Sequence, residues 1–254
     1  WSRTPEGREV FVARHPAQLL RTREPVLKRR LEQEFYQDIA RMADRVLGRL
    51  SPGDSPEVAR IYLTSEKAED FFPMLAKRTA PWVFDIETFD ATQFPSRRPV
   101  ATDPCHPDFR VRGVAIAWTP KKGVWVELAQ WSKEDSRRLL GPAFASPAEK
   151  WAFAGHFDEE GLVYPGWVEV VNNRAGDGML GLVALGNARH DSLRLEKAVV
   201  DVLHLPQSWG GEDKQRMRDL PVGVVAQGSV GDACRTFQLC QVLHERMKKK
   251  EYLN

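Results

Sequence analysis

The sequence is poor in cysteine and has no long apolar run. Its 254 residues include three cysteines, Cys105, Cys234 and Cys240, which form no CxxC pair. We therefore expect no zinc site. We expect an intracellular, reducing compartment, and the sequence does not distinguish cytoplasm, nucleoid and organelle. No apolar run approaches the ~18 residues that a membrane-spanning helix needs, so we expect no membrane partner.

Excess charge of either sign is also absent. Lys and Arg number 37 against 35 Asp and Glu, which gives a formal net charge of +2. That balance alone provides no electrostatic argument for a nucleic-acid partner. Hydrophobic residues nevertheless make up 42% of the chain, which is ample for a buried core and excludes a wholly disordered protein.

The first 54 residues differ in pattern from the rest. Their apolar residues recur at spacings of three or four, as on one face of an amphipathic helix. The residues concerned are Leu27, Leu31, Phe35, Ile39, Met42 and Val46. The turn-forming segment SPGDSP at 51–56 ends this pattern. We predict a helical extension and linker over 1–54 and a second domain over 55–254.

The second domain alternates strand-like and helix-like segments. Apolar runs predict strands at 59–63, 82–87, 113–118 and 123–128. Helical patterns follow at 68–77, 132–140, 147–153, 179–185, 193–203 and 230–249. Strands in the first half, with helices between and after them, predict an α/β domain with a mixed sheet flanked by helices.

The strand at 82–87 ends in two acids, Asp85 and Glu87. Alternate residues of a strand point to the same face, so the two carboxylates project together. Like charges side by side raise one pKa unless a cation lies between them, and divalent cations favour carboxylate oxygens. The alternative interpretation of this motif alone is a pair of solvated acids at the end of a strand.

Three later aspartates stand at the starts of helical segments. Asp158 follows Phe157, Asp177 opens an apolar helix, and Asp232 lies near the start of the last helix. Taken alone, Asp158 is also typical of a helix N-cap.

Taken in order, these segments resemble the DnaQ-like (DEDD) 3′–5′ exonuclease superfamily, and most closely the proofreading domain of family A DNA polymerases. The family's first motif is a strand carrying DxE, the second an aromatic–Asp pair, followed by a DTM-L segment and a final DA-x-x-T-x-x-L. The matching segments are Asp85-Ile86-Glu87, Phe157-Asp158, 177–180 and 232–239, within a resemblance that covers 59–245.

The resemblance implies a ribonuclease-H-like fold and hydrolysis of phosphodiesters with two divalent cations, Mg²⁺ or Mn²⁺. By analogy, Asp85 bridges both ions, Glu87 and Asp232 complete the first site, and Asp158 serves the second. The implied substrate is the 3′ end of single-stranded DNA, with RNA left open. A polymerase domain or subunit is a further partner that the resemblance suggests.

Two positions depart from the family pattern. The family places a Tyr four residues, or a His five residues, before the last aspartate, where this chain has Gly228 and Gln227. An Asn often found four residues before the second-motif aspartate is Ala154 here. The alternative function is therefore a catalytically weakened or inactive exonuclease-fold module that binds nucleic acid or a protein assembly. His156 is a candidate substrate contact, with an exposed loop histidine as the alternative.

A dinucleotide-binding domain is a third, less favoured interpretation. Residues 176–181 spell GxGxxG after a strand-like segment at 167–171, and Asp201 follows at a suitable distance. The motif arrives late in the chain, however, and no second βαβ unit follows it. For a single strand of nucleic acid, stacking candidates are Phe89, Phe94, Trp131 and Trp209.

Overall fold

The computed structural model describes residues 56–90, 102–186, 193–205 and 217–251, together with 2–3 and 9–10. The chain divides into two compact units, Trp1–Asp54 and Ser55–Asn254. In the first unit, Ser2–Arg3 pairs with Glu9–Val10 as two short antiparallel strands. The predicted helical extension lies outside the described residues.

A mixed sheet forms the centre of the second unit. Its strands are β1 (Glu57–Tyr62), β2 (Trp82–Asp90), β3 (Phe109–Thr119), β4 (Lys122–Val126), β5 (Lys150–Ala152) and β6 (Arg174–Asp177). Their spatial order is β1-β4-β3-β2-β5-β6. β3 runs antiparallel to both of its neighbours, whereas β1 with β4, β2 with β5 and β5 with β6 are parallel pairs.

Helices flank this sheet. They are α1 (Phe71–Ala76), α2 (Lys133–Ala145), α3 (Gly155–Val163), α4 (Gly178–Ala184), α5 (Leu195–Ala198) and α6 (Val222–Glu251). Short 3₁₀ helices lie at Ser65–Ala68 and Leu128–Gln130, and α5 continues as a π-helix, Val199–Leu203. In the described part of the chain, no helix is both long and apolar enough to cross a bilayer. The predicted α/β class with a mixed, helix-flanked sheet is confirmed.

The alternation of side chains along β2 separates two apolar layers. Trp82, Phe84 and Ile86 enter the core beneath α1, α2 and α3, where Trp82 and Phe84 make edge-to-face contacts with Phe144. Val83 points to the other face, which α6 covers. Burying each large apolar side chain contributes about 1.5–3 kcal/mol, so both layers hold β2 firmly. The same alternation places the carboxylates of β2 on the α6 face.

Two predicted elements are wrong and one is displaced. The helix predicted at 147–153 is instead β5, because its backbone pairs with β2 on one side and β6 on the other. The strand-like segment at 167–171 forms no strand. The last helix begins at Val222 rather than near residue 230. Its glycines lower the intrinsic helix propensity, but packing against the sheet outweighs that preference.

Candidate metal centre

Three carboxylates converge between β2 and α6. Asp85 and Glu87 project from β2 towards α6, and Asp232 faces them from the helix. One oxygen from each residue lies within 4.8 Å of the other two. Glu87 is 7% exposed and Asp232 is 3% exposed, whereas Asp85 is half-buried, so solvent reaches the cluster from the side of Asp85 only in part. Such a set of hard oxygen donors suits a divalent cation.

The fourth predicted acid, Asp158, reaches the same strand from the first turn of α3. Its Oδ1 accepts a hydrogen bond from the backbone N–H of Ile86, at 3.2 Å, between Asp85 and Glu87. Its Oδ2 is buried and has no hydrogen-bond partner among the described residues. Burial raises the pKa of Asp158 well above its usual value, and the charges of Asp85, Glu87 and Asp177 raise it further. The structure thus brings all four predicted acids to one site.

A glycine allows α3 to approach β2 this closely. A Cβ atom on Gly161 would lie 2.3 Å from Cδ1 of Ile86. Any larger residue requires the terminal methyl group of Ile86 to move. The absence of a side chain at Gly161, one turn beyond Asp158, therefore leaves room for the Ile86 side chain where α3 meets β2.

Asp177 has a structural place beside the cluster. At the end of β6 it caps α4, accepting hydrogen bonds from the N–H groups of Met179 and Leu180. It also accepts from the N–H groups of Ala154 and Gly155, at 3.2 and 2.9 Å, where α3 begins. One carboxylate therefore fixes the starts of two helices, one of which carries Asp158.

The same geometry opposes a dinucleotide site at the GxGxxG motif. The α4 amides that a pyrophosphate would need are bonded to Asp177. A Cβ on Gly176 would meet the Trp151 ring at 2.3 Å, and one on Gly178 would meet the Phe153 ring at 2.8 Å. These glycines make room for aromatic side chains of the protein itself.

The positions where the family has Tyr or His lie on α6 without a replacement. Nε2 of Gln227 donates to the carbonyl oxygen of Pro56 at 3.1 Å, at the surface, and Gly228 has no side chain. Ser229 instead donates its hydroxyl to Oε1 of Glu87 at 3.0 Å, in a buried setting. Sequence reasoning missed Ser229. Its signal was its position three residues before Asp232, which places both on one helix face.

His156 stands apart from the carboxylates. Its side chain is 78% exposed, and its Nε2 lies 3.1 Å from Oε1 of Glu160, one turn along α3. Two residues before Asp158, it projects from a different side of the helix. Its contact with substrate stays a prediction.

A cavity of about 570 Å³ begins two residues beyond Glu87, at Phe89. Arg110, Lys133 and Trp167 also line it. The Lys133 ammonium lies 4.5 Å from the centroid of the Trp167 ring. Burial lowers the pKa of Lys133, and the nearby positive charges of Arg137 and Arg110 lower it further. The lining of the cavity is therefore aromatic and basic, with its two cationic side chains close enough to affect each other.

Two of the four aromatic residues proposed for stacking lie among the described residues. Phe89 lines this cavity, whereas Trp131 is 7% exposed and packs in the core against Phe72. Phe94 and Trp209 lie outside the described residues.

The comparisons with known proteins find likeness in fold. No family model and no curated protein match the sequence. Ribonuclease D of Trypanosoma brucei matches with a TM-score of 0.55 and 16% identity, over 72% of this chain and 64% of that one. The EXO domain of Aedes aegypti Nibbler matches with a TM-score of 0.54 and 15% identity, over 75% of this chain and 88% of that one. Brucella melitensis NrnC with bound Mg²⁺ matches with a TM-score of 0.51 and 13% identity, over 69% of this chain and 77% of that one.

The structural similarity to a DNA polymerase is no stronger than the similarity to these nuclease structures. The POL domain of Pol1 from M. smegmatis, in complex with DNA primer-template and dNTP, matches with a TM-score of 0.52 and 14% identity, over 75% of this chain and 28% of that one. The special closeness to family A polymerases therefore stays a prediction. At these identities the likeness establishes architecture: the second unit has the ribonuclease-H-like α/β fold shared with the nuclease structures.

Proposed function

We propose that the chain is a divalent-metal-dependent 3′–5′ exonuclease, which hydrolyses the terminal phosphodiester of a single strand. The observation that carries the proposal is the convergence of Asp85, Glu87 and Asp232 beside the buried Asp158. The likeness in fold to a ribonuclease D, an EXO domain and a Mg²⁺-bound NrnC supports it.

The donor set fits two divalent cations. Four carboxylates in a largely buried site repel one another, and the unpaired Oδ2 of Asp158 lacks any compensating hydrogen bond among the described residues. Asp85, Glu87 and Asp232 would hold one ion, and Asp85 with Asp158 the second. When bound, such ions neutralise charge on the phosphate and stabilise both the attacking and the leaving oxygen.

The protein's own groups bind and orient the strand. β2, α3 and α6 hold the four carboxylates on rigid elements, which limits the reorganisation needed during the reaction. Arg110 and Lys133 line the cavity beside Phe89 and would attract the phosphates of the strand. The hydroxyl of Ser229 donates to Oε1 of Glu87 at 3.0 Å, which fixes the orientation of that carboxylate.

The substrate is proposed as single-stranded nucleic acid with a free 3′ end. The sequence motifs favour DNA, in a proofreading role beside a polymerase domain or subunit. Because the fold is also similar to that of a ribonuclease D, RNA is the substrate to test against DNA. Both have the phosphodiester that the carboxylate site would act on, so the two must be compared directly.

A second candidate is an exonuclease-fold module that binds strands but cleaves them weakly or not at all. The observation that favours it is the orientation of Gln227, which donates to Pro56 while Gly228 leaves the usual Tyr position empty of a side chain. General acid–base assistance typically contributes ~10²–10⁴-fold, so its loss would slow hydrolysis without removing strand binding.

Digestion of 3′-labelled and 5′-labelled DNA and RNA strands separates these candidates. With Mg²⁺ or Mn²⁺ we expect stepwise shortening from the 3′ end, and none with EDTA. Replacing Asp85 by Asn together with Glu87 by Gln should reduce the rate at least ~10³-fold, because metal-held charge stabilisation is worth several kcal/mol.

Asp201→Asn is the matched control, because this exposed acid pairs with Lys197 at 3.0 Å on α5 and its π-helical continuation. Its rate should equal that of the wild type. Undiminished cleavage by the Asp85→Asn/Glu87→Gln variant would place the active site elsewhere. Metal-dependent strand binding without cleavage would support the second candidate.

A further inference from the structure

Ser229 joins α6 to β2 directly beneath the carboxylate cluster. Its hydroxyl donates to Oε1 of Glu87 at 3.0 Å, and neither side chain is more than 7% exposed. Asp232 stands three residues later on the same helix face. One helix therefore supplies both a carboxylate of the cluster and a hydrogen bond to another.

A hydrogen bond at this point constrains Glu87 more than its burial alone does. Glutamate has three side-chain torsions, and its free carboxylate rotates between orientations of similar energy. A donor fixed on a packed helix selects the orientation in which Oε1 faces Ser229. Because both oxygens belong to one planar carboxylate, fixing Oε1 also fixes the direction of Oε2.

We propose that Ser229 is a positioning residue, which presents Glu87 to a divalent cation and supports the part of the site where the usual Tyr or His is missing. This inference rests on the proposed function. Supporting groups of this kind typically change metal affinity or activity 10–100-fold when removed. It acts through Glu87 and touches neither cation nor substrate in the proposed arrangement.

The test compares Ser229→Ala with Ser136→Ala in the full chain, freed of metal with EDTA and then titrated with Mn²⁺. Ser136 is a matched control because its hydroxyl is also buried and donates a 2.8 Å hydrogen bond, to the carbonyl oxygen of Trp167. Calorimetry or the electron paramagnetic resonance of free Mn²⁺ gives the affinity without any substrate.

We expect Ser229→Ala to weaken Mn²⁺ binding about tenfold, the lower end of the range for supporting groups. Ser136→Ala should bind as the wild type does, and Ser229→Thr, which keeps the hydroxyl, should recover most of the affinity. In strand digestion, Ser229→Ala should lower kcat more than it changes KM.

Equal Mn²⁺ affinity in wild type and folded Ser229→Ala would overturn the inference, as would a folded Ser229→Thr no better than Ser229→Ala. A wild-type chain that binds no Mn²⁺ would overturn both the inference and the proposed function. If the wild type binds Mn²⁺ but cleaves no strand, the exonuclease proposal fails alone, and the affinity of Ser229→Ala still decides the role of Ser229.

Discussion

At the scale of single residues, Ala154 is strained where α3 begins. Its φ of 58° and ψ of 41° are left-handed, a conformation that Asn tolerates better than Ala. Ala154→Asn should therefore raise the free energy of unfolding by about 1 kcal/mol. Urea denaturation in EDTA measures the change without a contribution from metal.

Ala145→Asn is the control, since Ala145 is exposed in the last turn of α2 with helical geometry. There Asn should lower the free energy of unfolding by a few tenths of a kcal/mol, as its helix propensity is poorer. A decrease for Ala154→Asn as well would mean that the left-handed conformation is not the one present in solution.

Single residues also show what the sequence could and could not predict at the site. The alternation of side chains along a strand predicts that Asp85 and Glu87 share a face, and in the structure both carboxylates lie in the same cluster. The bond between Ser229 and Glu87 spans 142 positions, and no local pattern encodes such a pair. Only the packing of α6 on β2 creates it.

At the scale of elements, the packing of α3 on β2 sets the position of Asp158. Gly161→Ala would place a methyl group 2.3 Å from Ile86 Cδ1 and so force the Ile86 side chain out of its packed position. We expect a loss of about 1–3 kcal/mol in the free energy of unfolding, as is usual for overpacked cores. We also expect weaker Mn²⁺ binding, because Ile86 lies between Asp85 and Glu87 and its amide donates to Asp158. Urea denaturation and Mn²⁺ titration check the two effects.

Gly141→Ala is the matched substitution in α2, where a Cβ atom meets nothing within 4 Å. It should raise the free energy of unfolding by about 0.5–1 kcal/mol, as Gly to Ala does in a helix interior. If Gly161→Ala behaved in the same way, Gly161 and the Ile86 side chain would not be packed as closely as the structure shows.

Elements were predictable where local pattern and tertiary contacts agree. β2 and β3 are long apolar strands, and the sequence predicts both. The segment at 150–152 is short and helix-permissive, and it becomes a strand only because β2 and β6 lie on either side of it. Pairing between distant segments overrides local propensity there.

At the scale of the whole molecule, a net charge of +2 conceals separation of charge. Asp85, Glu87 and Asp232 gather at one site, and Arg110 and Lys133 line the cavity that begins at Phe89. The opposite signs cancel in the total, and under the proposed function they would act on different parts of a nucleic-acid strand. Composition could not reveal this arrangement, because it depends on which residues the fold brings together.

The stability of the whole fold should depend on pH through Lys150, which is fully buried in β5. Its ammonium donates to the carbonyl and hydroxyl oxygens of Ser146, at the end of α2. Burial lowers the pKa of Lys150 from 10.5 to about 8. Between these values the unfolded chain binds more protons than the folded one, so the free energy of unfolding rises with pH.

Below pH 8 the lysine is charged in both states, and the full desolvation penalty opposes folding; above about 10.5 it is neutral in both, and the penalty is gone. Other groups also titrate in this range, so the informative quantity is the difference between wild type and Lys150→Met. Urea denaturation at pH 7, 8.5 and 10 should show the wild type gaining stability relative to the variant. Parallel pH profiles would mean that Lys150 keeps an ordinary pKa, with its ammonium reached by water.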